Sequence, residues 1–419
     1  MLIQRLHLRD FRGFADVTLD LARPLTLLAG VNGAGKSSLL DALSVVAGVV
    51  AVQMLQRPLF VPALRPMDIR RGAPSTTLDA TLAFGASHAR ITATAERSGP
   101  LAILAHEVSS LPALSLAPSV PAWCLAVYFQ STRNAAPDLS SRWKDGTPDA
   151  TTPLDALDGA LGSGSAGFVD LFRWFRDRED LENAEKVRRA SLAWVDLQLH
   201  AVRSAVTALL PGFAGLRVDR SVLRMAVDKD GAPLFLDQLS DGERNLLALT
   251  ADVARRLAIA NPELADPLTG EAVVLIDEIE LHLHPSWQRR VLGDLTRTFP
   301  RCQFIVTTHS PQVLSEVPND AVIVVKDFQC YRPAAPTEGR DSNAILSEVF
   351  DVPARPAATV AELDAITDLL DARRYDEARA RLDRLAVKIT ERDPEVQGLR
   401  TTLDVVERLD ATVPQEPSK

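Results

Sequence analysis

Two short stretches carry most of the reactive chemistry in these 419 residues. Gly30–Val31–Asn32–Gly33–Ala34–Gly35–Lys36–Ser37 sets three glycines, an ammonium and a hydroxyl within eight positions and fits GxxxxGK[ST] at every fixed one. Glycines let the backbone curl until successive N–H groups point inward, with the positive end of a helix behind them, and the result is a cradle for phosphate oxygens. Lys36 would reach the β- and γ-phosphates of ATP, and the Ser37 hydroxyl would ligate Mg²⁺. The bland reading is a glycine-rich strand-to-helix turn that holds nothing. Against it stands the context the motif needs: a buried strand, Leu25–Leu28, before it and a helix, Ser37–Val50, expected after it.

The second stretch is VVLIDEIELHLHP, Val273–Pro285. Its four leading apolar residues read as a strand buried on both faces, so Asp277 and Glu278 emerge at the carboxyl edge of a parallel sheet, where ligands bind. Asp277 would hold the Mg²⁺ and its water, and Glu278 would orient or deprotonate the water that attacks the γ-phosphate. His282 and His284 form an HxH pair that could bind zinc. No third and fourth ligand with suitable spacing lies nearby, and an interface or packing role is the plainer reading of both histidines.

Whatever positions these groups is built from an ordinary globular composition, 46% hydrophobic. A net charge of −9, from 46 Lys+Arg and 55 Asp+Glu, does not advertise a nucleic-acid partner for the whole chain. The small clusters Arg70–Arg71, Lys186–Arg188–Arg189 and Arg289–Arg290 read as solvated helix faces. Cys124, Cys302 and Cys330 lack CxxC spacing, which argues for buried reduced thiols rather than disulfides or a zinc knuckle. The apolar run Leu39–Val52 is interrupted by Asp41 and too short to span a bilayer, and no basic n-region with a cleavage site opens the chain. No membrane association and a cytoplasmic location are therefore expected.

Residues 1–22 alternate as two antiparallel strands joined near Arg12–Gly13, and Thr76–Thr94 reads as a hairpin turning near Gly85–Ser87. Cys124–Phe129 is a further strand, and Asn134–Ala166 a loop rich in Pro, Gly, Ser and Asp. Phe168–Leu210 has helical apolar spacing. A second hairpin, Leu216–Asp219 to Leu234–Leu236, is expected to turn on Asp228–Gly231. A helix starts at Ser240–Asp241, and buried strands are expected at Ala272–Ile276, Gln303–Thr307 and Ala321–Val325, with one helix, Ser286–Phe299, between the first two. Val360–Leu409 is polar and helical by pattern, and Val413–Lys419 reads as a frayed tail.

Leu239–Ser240–Asp241–Gly242–Glu243–Arg244 is a good helix cap with acids in the first turn. Together with the loop upstream and the acids downstream it also resembles the signature motif of the ABC superfamily in its RecF, SMC and OLD-like branch, where LSxGE replaces LSGGQ. That resemblance implies an α/β fold: a P-loop NTPase with an ABC-type head, a mixed sheet flanked by helices, carrying here a helical insert and a helical C-terminal extension. It implies boundaries at 1–132 (phosphate-loop lobe), 133–212 (loop and helical insert), 213–326 (signature lobe) and 327–419 (helical C-terminal region). It also implies a head-to-tail homodimer, or a higher homo-oligomer, in which Ser240 and the backbone at Gly242 cap the ATP held by the other protomer. The nucleotide set is then Gly30, Asn32, Gly33, Ala34, Gly35, Lys36, Ser37 and Ser38, with Arg12 of the FRGF opening against the base or ribose. Gln130 looks like the Q-loop glutamine that senses Mg²⁺ and the attacking water. His309 of Thr307–Thr308–His309–Ser310 looks like the switch histidine on the γ-phosphate, and Glu280–Pro285 occupies the D-loop position. Gly339–Val352 is similar to the tail of PtuA-like ATPases, encoded in antiphage systems of the Septu and retron types beside an HNH nuclease. An HNH-type partner and a role in defence follow from that resemblance. Contact with DNA stays open, a RecF-like repair ATPase is the alternative, and no Toprim nuclease pattern follows the ATPase motifs.

Overall fold

The computed structural model describes residues 1–55, 61–98, 101–109, 125–131, 152–162 and 166–412. It divides into two compact units, Met1–Ile345 and Leu346–Lys419. The first opens with strands β1 (Leu2–Phe11), β2 (Phe14–Asp20) and β3 (Leu25–Ala29), helix α1 (Lys36–Leu55), and strands β4 (Ser75–Phe84), β5 (Ser87–Ser98), β6 (Leu101–Ser109) and β7 (Ala126–Phe129). Helices α2 (Ala166–Arg188) and α3 (Leu197–Leu209) precede β8 (Phe213–Asp219), β9 (Arg224–Lys229), β10 (Ala232–Phe235) and α4 (Asp241–Ala260). Then come β11 (Ala272–Ile276), α5 (Pro285–Gln288), α6 (Val291–Thr298), β12 (Cys302–Thr308), α7 (Pro311–Leu314), β13 (Val322–Lys326), β14 (Gln329–Tyr331) and α8 (Ser342–Val349).

The described residues form three sheets: antiparallel β2-β1-β4-β5-β6, antiparallel β10-β9-β8, and mixed β14-β13-β3-β12-β11-β7, in which, among those strands, only the β14 edge runs against the rest. With helices packed against it, the mixed sheet makes this an α/β P-loop head. Every residue of β11 and β12 is buried, as strands covered on both faces must be. Strand β1 alternates instead, but its phase slips between Ile3 and Arg5, where a bulge shifts the register against β4. Helix α1 runs five residues beyond the expected end, and by length and composition it could cross a membrane. However, 72% of its 18-residue apolar window is buried, so it is a core helix packed against β4, β5 and β11.

The two larger sheets are fastened by one buried amide. Gln303, at the start of β12, accepts from the Ile3 N–H at 2.8 Å and donates to the Ile3 carbonyl at 2.9 Å and the Leu21 carbonyl at 2.7 Å. Arg256 does similar service for α4. Fully buried, it pairs with Asp252 at 2.8 Å and donates to the carbonyls of Ala156 and Asp158. Burial pushes the Asp252 carboxyl up, but Arg256 and Arg255 outweigh it and hold the group below its ordinary range.

Two expectations are revised. The hairpin over 216–236 is a three-stranded meander: the chain turns first at Arg220–Leu223, without glycine, aided by Asp219 accepting from the Ser221 N–H and by Leu223 at φ +51°. The helix expected over 286–299 breaks into α5 and α6 where the Arg290 N–H bonds to the Trp287 carbonyl three residues back, and there the Arg290 side chain donates to the Leu209 carbonyl and pairs with Asp294. The loop over 134–166 lies mostly outside the described residues, as do Cys124 and the tail 413–419. Cys302 is buried and Cys330 half-buried, and burial pushes each thiol up to about 12.

The second unit contains α9 (Ala357–Asp371), α10 (Tyr375–Ile389) and α11 (Pro394–Thr412), packed through Leu363, Ile366, Leu382, Leu385, Val396 and Leu403. The turn between α9 and α10 uses Arg373 at φ +57°, and Arg355 clamps Asp393 with two 2.9 Å bonds ahead of α11.

Replacing Gln303 with leucine keeps the volume but strands the Ile3 and Leu21 backbone groups. Urea denaturation is expected to show a loss of about 2–4 kcal/mol; a change within ~0.5 kcal/mol would mean that the sheets do not need this amide.

Candidate active site

The site grows from the carboxyl ends of β3, β11 and β12. After β3 the backbone must reverse sharply before α1, and Gly33 (φ +79°) and Gly35 (φ +106°) occupy conformations that L side chains rarely adopt. Gly30 serves another need: a Cβ there would stand 2.2 Å from the Val325 carbonyl oxygen of β13, so the loop is pressed onto the sheet. Asn32 and Gly33 are exposed at the loop crest, Ala34 is buried, and Lys36 is 5% exposed.

Lys36 folds back into its own loop. Its ammonium donates to the carbonyls of Gly30 at 2.9 Å and Val31 at 3.0 Å and lies 3.2 Å from His309 Nδ1. Burial pushes the amine down to about 8, against the pull of Asp277, Glu280 and Glu278. Ser37, in the first turn of α1, donates to both oxygens of the Asp277 carboxylate, at 2.9 and 3.1 Å. Asp277 is 3% exposed and also accepts from Thr307 Oγ1 at 2.6 Å, while its N–H reaches the Phe129 carbonyl of β7. A hydroxyl and a carboxylate converging on one point at the end of a phosphate cradle are oxygen donors of the kind that would hold Mg²⁺.

Adjacent residues on a strand face opposite ways, yet Glu278 shares the site with Asp277 because the chain leaves β11 in a left-handed conformation, φ +48° at Glu278. Thr307 Oγ1 accepts from the Glu278 N–H at 2.8 Å and so fixes that bend. His309 closes the group, with Nε2 3.6 Å from Glu278 Oε1. Lys36, Ser37, Asp277, Glu278 and His309 thus form one cluster.

Ser240 and Gly242 lie elsewhere. Ser240 caps α4 by accepting from the Glu243 N–H, and Glu243 returns the bond to the Ser240 N–H at 3.0 Å while pairing with Lys229. A Cβ at Gly242 would meet the His282 carbonyl oxygen at 2.3 Å, so the start of α4 abuts the Glu280–His284 segment. His282 is exposed at φ +62°, and His284 caps α5 through Ser286. Among the described residues no group of three or more His, Cys, Asp or Glu side chains could hold a metal by itself.

Arg12, at φ +50° in the β1–β2 turn, donates to Ser38 Oγ at 3.2 Å, Asp41 at 2.6 Å and Asp68 at 2.9 Å. Burial works against its charge, but Asp41 and Asp68 prevail and raise its pKa. Arg12, Asp41 and Asp68 line a cavity of about 520 Å³ that Gln130 also borders, one residue past the Phe129 carbonyl that holds Asp277. Sequence reasoning missed Thr307, which braces both acids, and Glu280, which accepts from Thr308 Oγ1 and the His309 N–H. The third acid of the stretch and the doubled threonine were the available signals. Asp41, Tyr128 and Asp68, which fix Arg12, left no local signal because they meet only in three dimensions.

The pH dependence follows from Lys36. Its folded pKa lies below the unfolded value near 10.5, so between about pH 8 and 10.5 the unfolded chain binds more protons and stability rises with pH. Relative to Lys36→Met, the nucleotide-free protein is expected to gain about 2–3 kcal/mol between pH 7 and 10.5 in denaturant titrations. Parallel profiles would contradict the buried ammonium.

Family profiles match in two places: residues 5–49 fit an "AAA domain", and residues 132–315 fit "AAA domain, putative AbiEii toxin, Type IV TA system". The chain is 30% identical to the "Retron Ec83 probable ATPase" of Escherichia coli, over 84% of its own length and 76% of that protein. It is 37% identical to the Septu protein PtuA of Bacillus mycoides over 22% of this chain and 12% of that one. Among solved structures, an SMC head bound to the C-winged helix domain of ScpA aligns with 79% of this chain and 96% of its own, at 15% identity and a TM-score of 0.44.

Proposed function

This chain belongs to the family of the retron ATPases, and from that premise we propose that it hydrolyses ATP at the Lys36–Ser37–Asp277–Glu278–His309 cluster as a head-to-tail dimer. It is an ATPase and binds nucleotide. The observation that carries the assignment of the site is the convergence of those five side chains on the mouth of the phosphate loop.

Ser37 and Asp277 would hold Mg²⁺, with Gln130 reaching its water, and the bound cation supplies charge neutralisation of the β- and γ-phosphate oxygens. Lys36 would move from the Gly30 and Val31 carbonyls to the phosphates, whose negative charge answers its buried ammonium more fully than neutral carbonyls do. The backbone N–H groups from Gly30 to Gly35 cradle the phosphates, and Ser38, beside Arg12, takes the nucleoside end. Glu278 orients the attacking water and accepts its proton, and His309 donates to the γ-phosphate. Ser240 and Gly242 face the partner protomer's ATP. The close approach of Gly242 to the His282 carbonyl supports this, because it sets the start of α4 and the Glu280–His284 turn side by side.

For the cellular setting we propose a cytoplasmic antiphage defence system with an HNH-type nuclease as partner, a reading supported by the likeness to the retron and Septu proteins. A nuclease encoded beside this chain should co-purify with it, and separate elution at micromolar concentration would count against the partnership.

Glu278→Gln should keep ATP binding, slow hydrolysis by roughly 10²–10³-fold, and shift the chain to a dimer in light scattering with Mg–ATP. A monomer that turns over normally would remove Glu278 from this role.

A further inference from the structure

Glu280 has no part in the reaction laid out above, yet it is the acid most directly attached to the histidine. Its carboxylate spans two consecutive residues after β12: one oxygen accepts from Thr308 Oγ1 at 2.8 Å, the other from the backbone N–H of His309. Charge-assisted bonds of this kind are strong, and two of them on one planar group fix the backbone that carries the imidazole. The ring's distances to Lys36 Nζ (3.2 Å) and Glu278 Oε1 (3.6 Å) depend on that backbone.

The other end of Glu280 points to the signature helix. Its carbonyl accepts from the Leu283 N–H at 2.9 Å and closes a turn that holds His282 at φ +62°. The His282 carbonyl fills the space a Cβ would need at Gly242, so the turn and the first turn of α4 are in backbone contact. One residue therefore joins the start of α4 to the switch histidine of the same chain through a short run of hydrogen bonds and packing.

We propose that Glu280 is a positioning residue: it sets His309 against the γ-phosphate and transmits to it the position of the Ser240–Gly242 helix start. This rests on the reading that His309 acts on ATP. Engagement of α4 on a partner's nucleotide would then be registered at the histidine of the chain that owns the helix.

The test is steady-state ATP turnover by the full chain in a double-mutant cycle. Glu280→Ala should lower kcat on the order of 10- to 100-fold with KM held within about threefold, and Glu280→Gln, which keeps one acceptor, should lose less. In a His309→Ala background, Glu280→Ala should cost less than about twofold more, because its effect passes through the missing ring. Wild-type kcat in Glu280→Ala, or a loss that adds in full to that of His309→Ala, overturns the proposal. If Glu280→Ala melts early, Glu280→Gln carries the same cycle. Glu278→Gln separates the two levels: normal hydrolysis there defeats the site assignment itself, whereas a dead Glu278→Gln beside an unimpaired Glu280→Ala defeats only the positioning role.

Discussion

The buried carboxylate of Asp277 is the constraint around which the first unit is arranged. A carboxylate 3% exposed must have its charge answered by hydrogen bonds or cations. Here Ser37 from α1 and Thr307 from β12 donate to it, Lys36 adds charge nearby, and the Asp277 N–H is tied to β7. Each donor comes from a different element, so the ends of three parallel strands and the start of α1 have to meet there. The same geometry leaves the Asp277 carboxylate and the Ser37 hydroxyl oxygen side by side, where a divalent cation would take lone pairs from both.

Thr307 illustrates how few atoms stand between structure and chemistry. One hydroxyl donates to Asp277 and accepts from the Glu278 N–H, so the residue that answers the first acid also bends the chain that aims the second. The left-handed backbone at Glu278 is strain of the sort functional sites keep, and it persists because the Thr307 bond and the parallel ladder over-determine it.

The phosphate loop, the buried strands and the acidic pair were legible because their signals are local: fixed glycine spacing, uninterrupted apolar runs, and acids at a strand end. The β4–β5 hairpin was legible for the same reason, with Gly85 at the predicted turn. The turn over Arg220–Leu223 was not, since its left-handed residue is a leucine and no glycine marks it. The break between α5 and α6 was hidden too, because no glycine or proline marks it and the carbonyl that Arg290 reaches there, Leu209, lies 81 positions away. Thr307 and Glu280 lay in plain view within recognised motifs, but their partners are set by the pairing of β11 with β12 and by the turn that follows, which pattern alone does not specify.

The order β13-β3-β12-β11-β7 has a consequence for biosynthesis. Strand β3, which delivers the phosphate loop, is made within the first thirty residues, but both of its neighbours in the sheet come from beyond residue 300. The oxygen that presses against Gly30 belongs to Val325, and the amide that fastens β1 belongs to Gln303. On the ribosome this most recognisable motif therefore waits for its floor until the strands beyond residue 300 have been synthesised, and closure of that long loop is a late, slow event. A nascent chain carries the nucleotide motif long before it carries a nucleotide site.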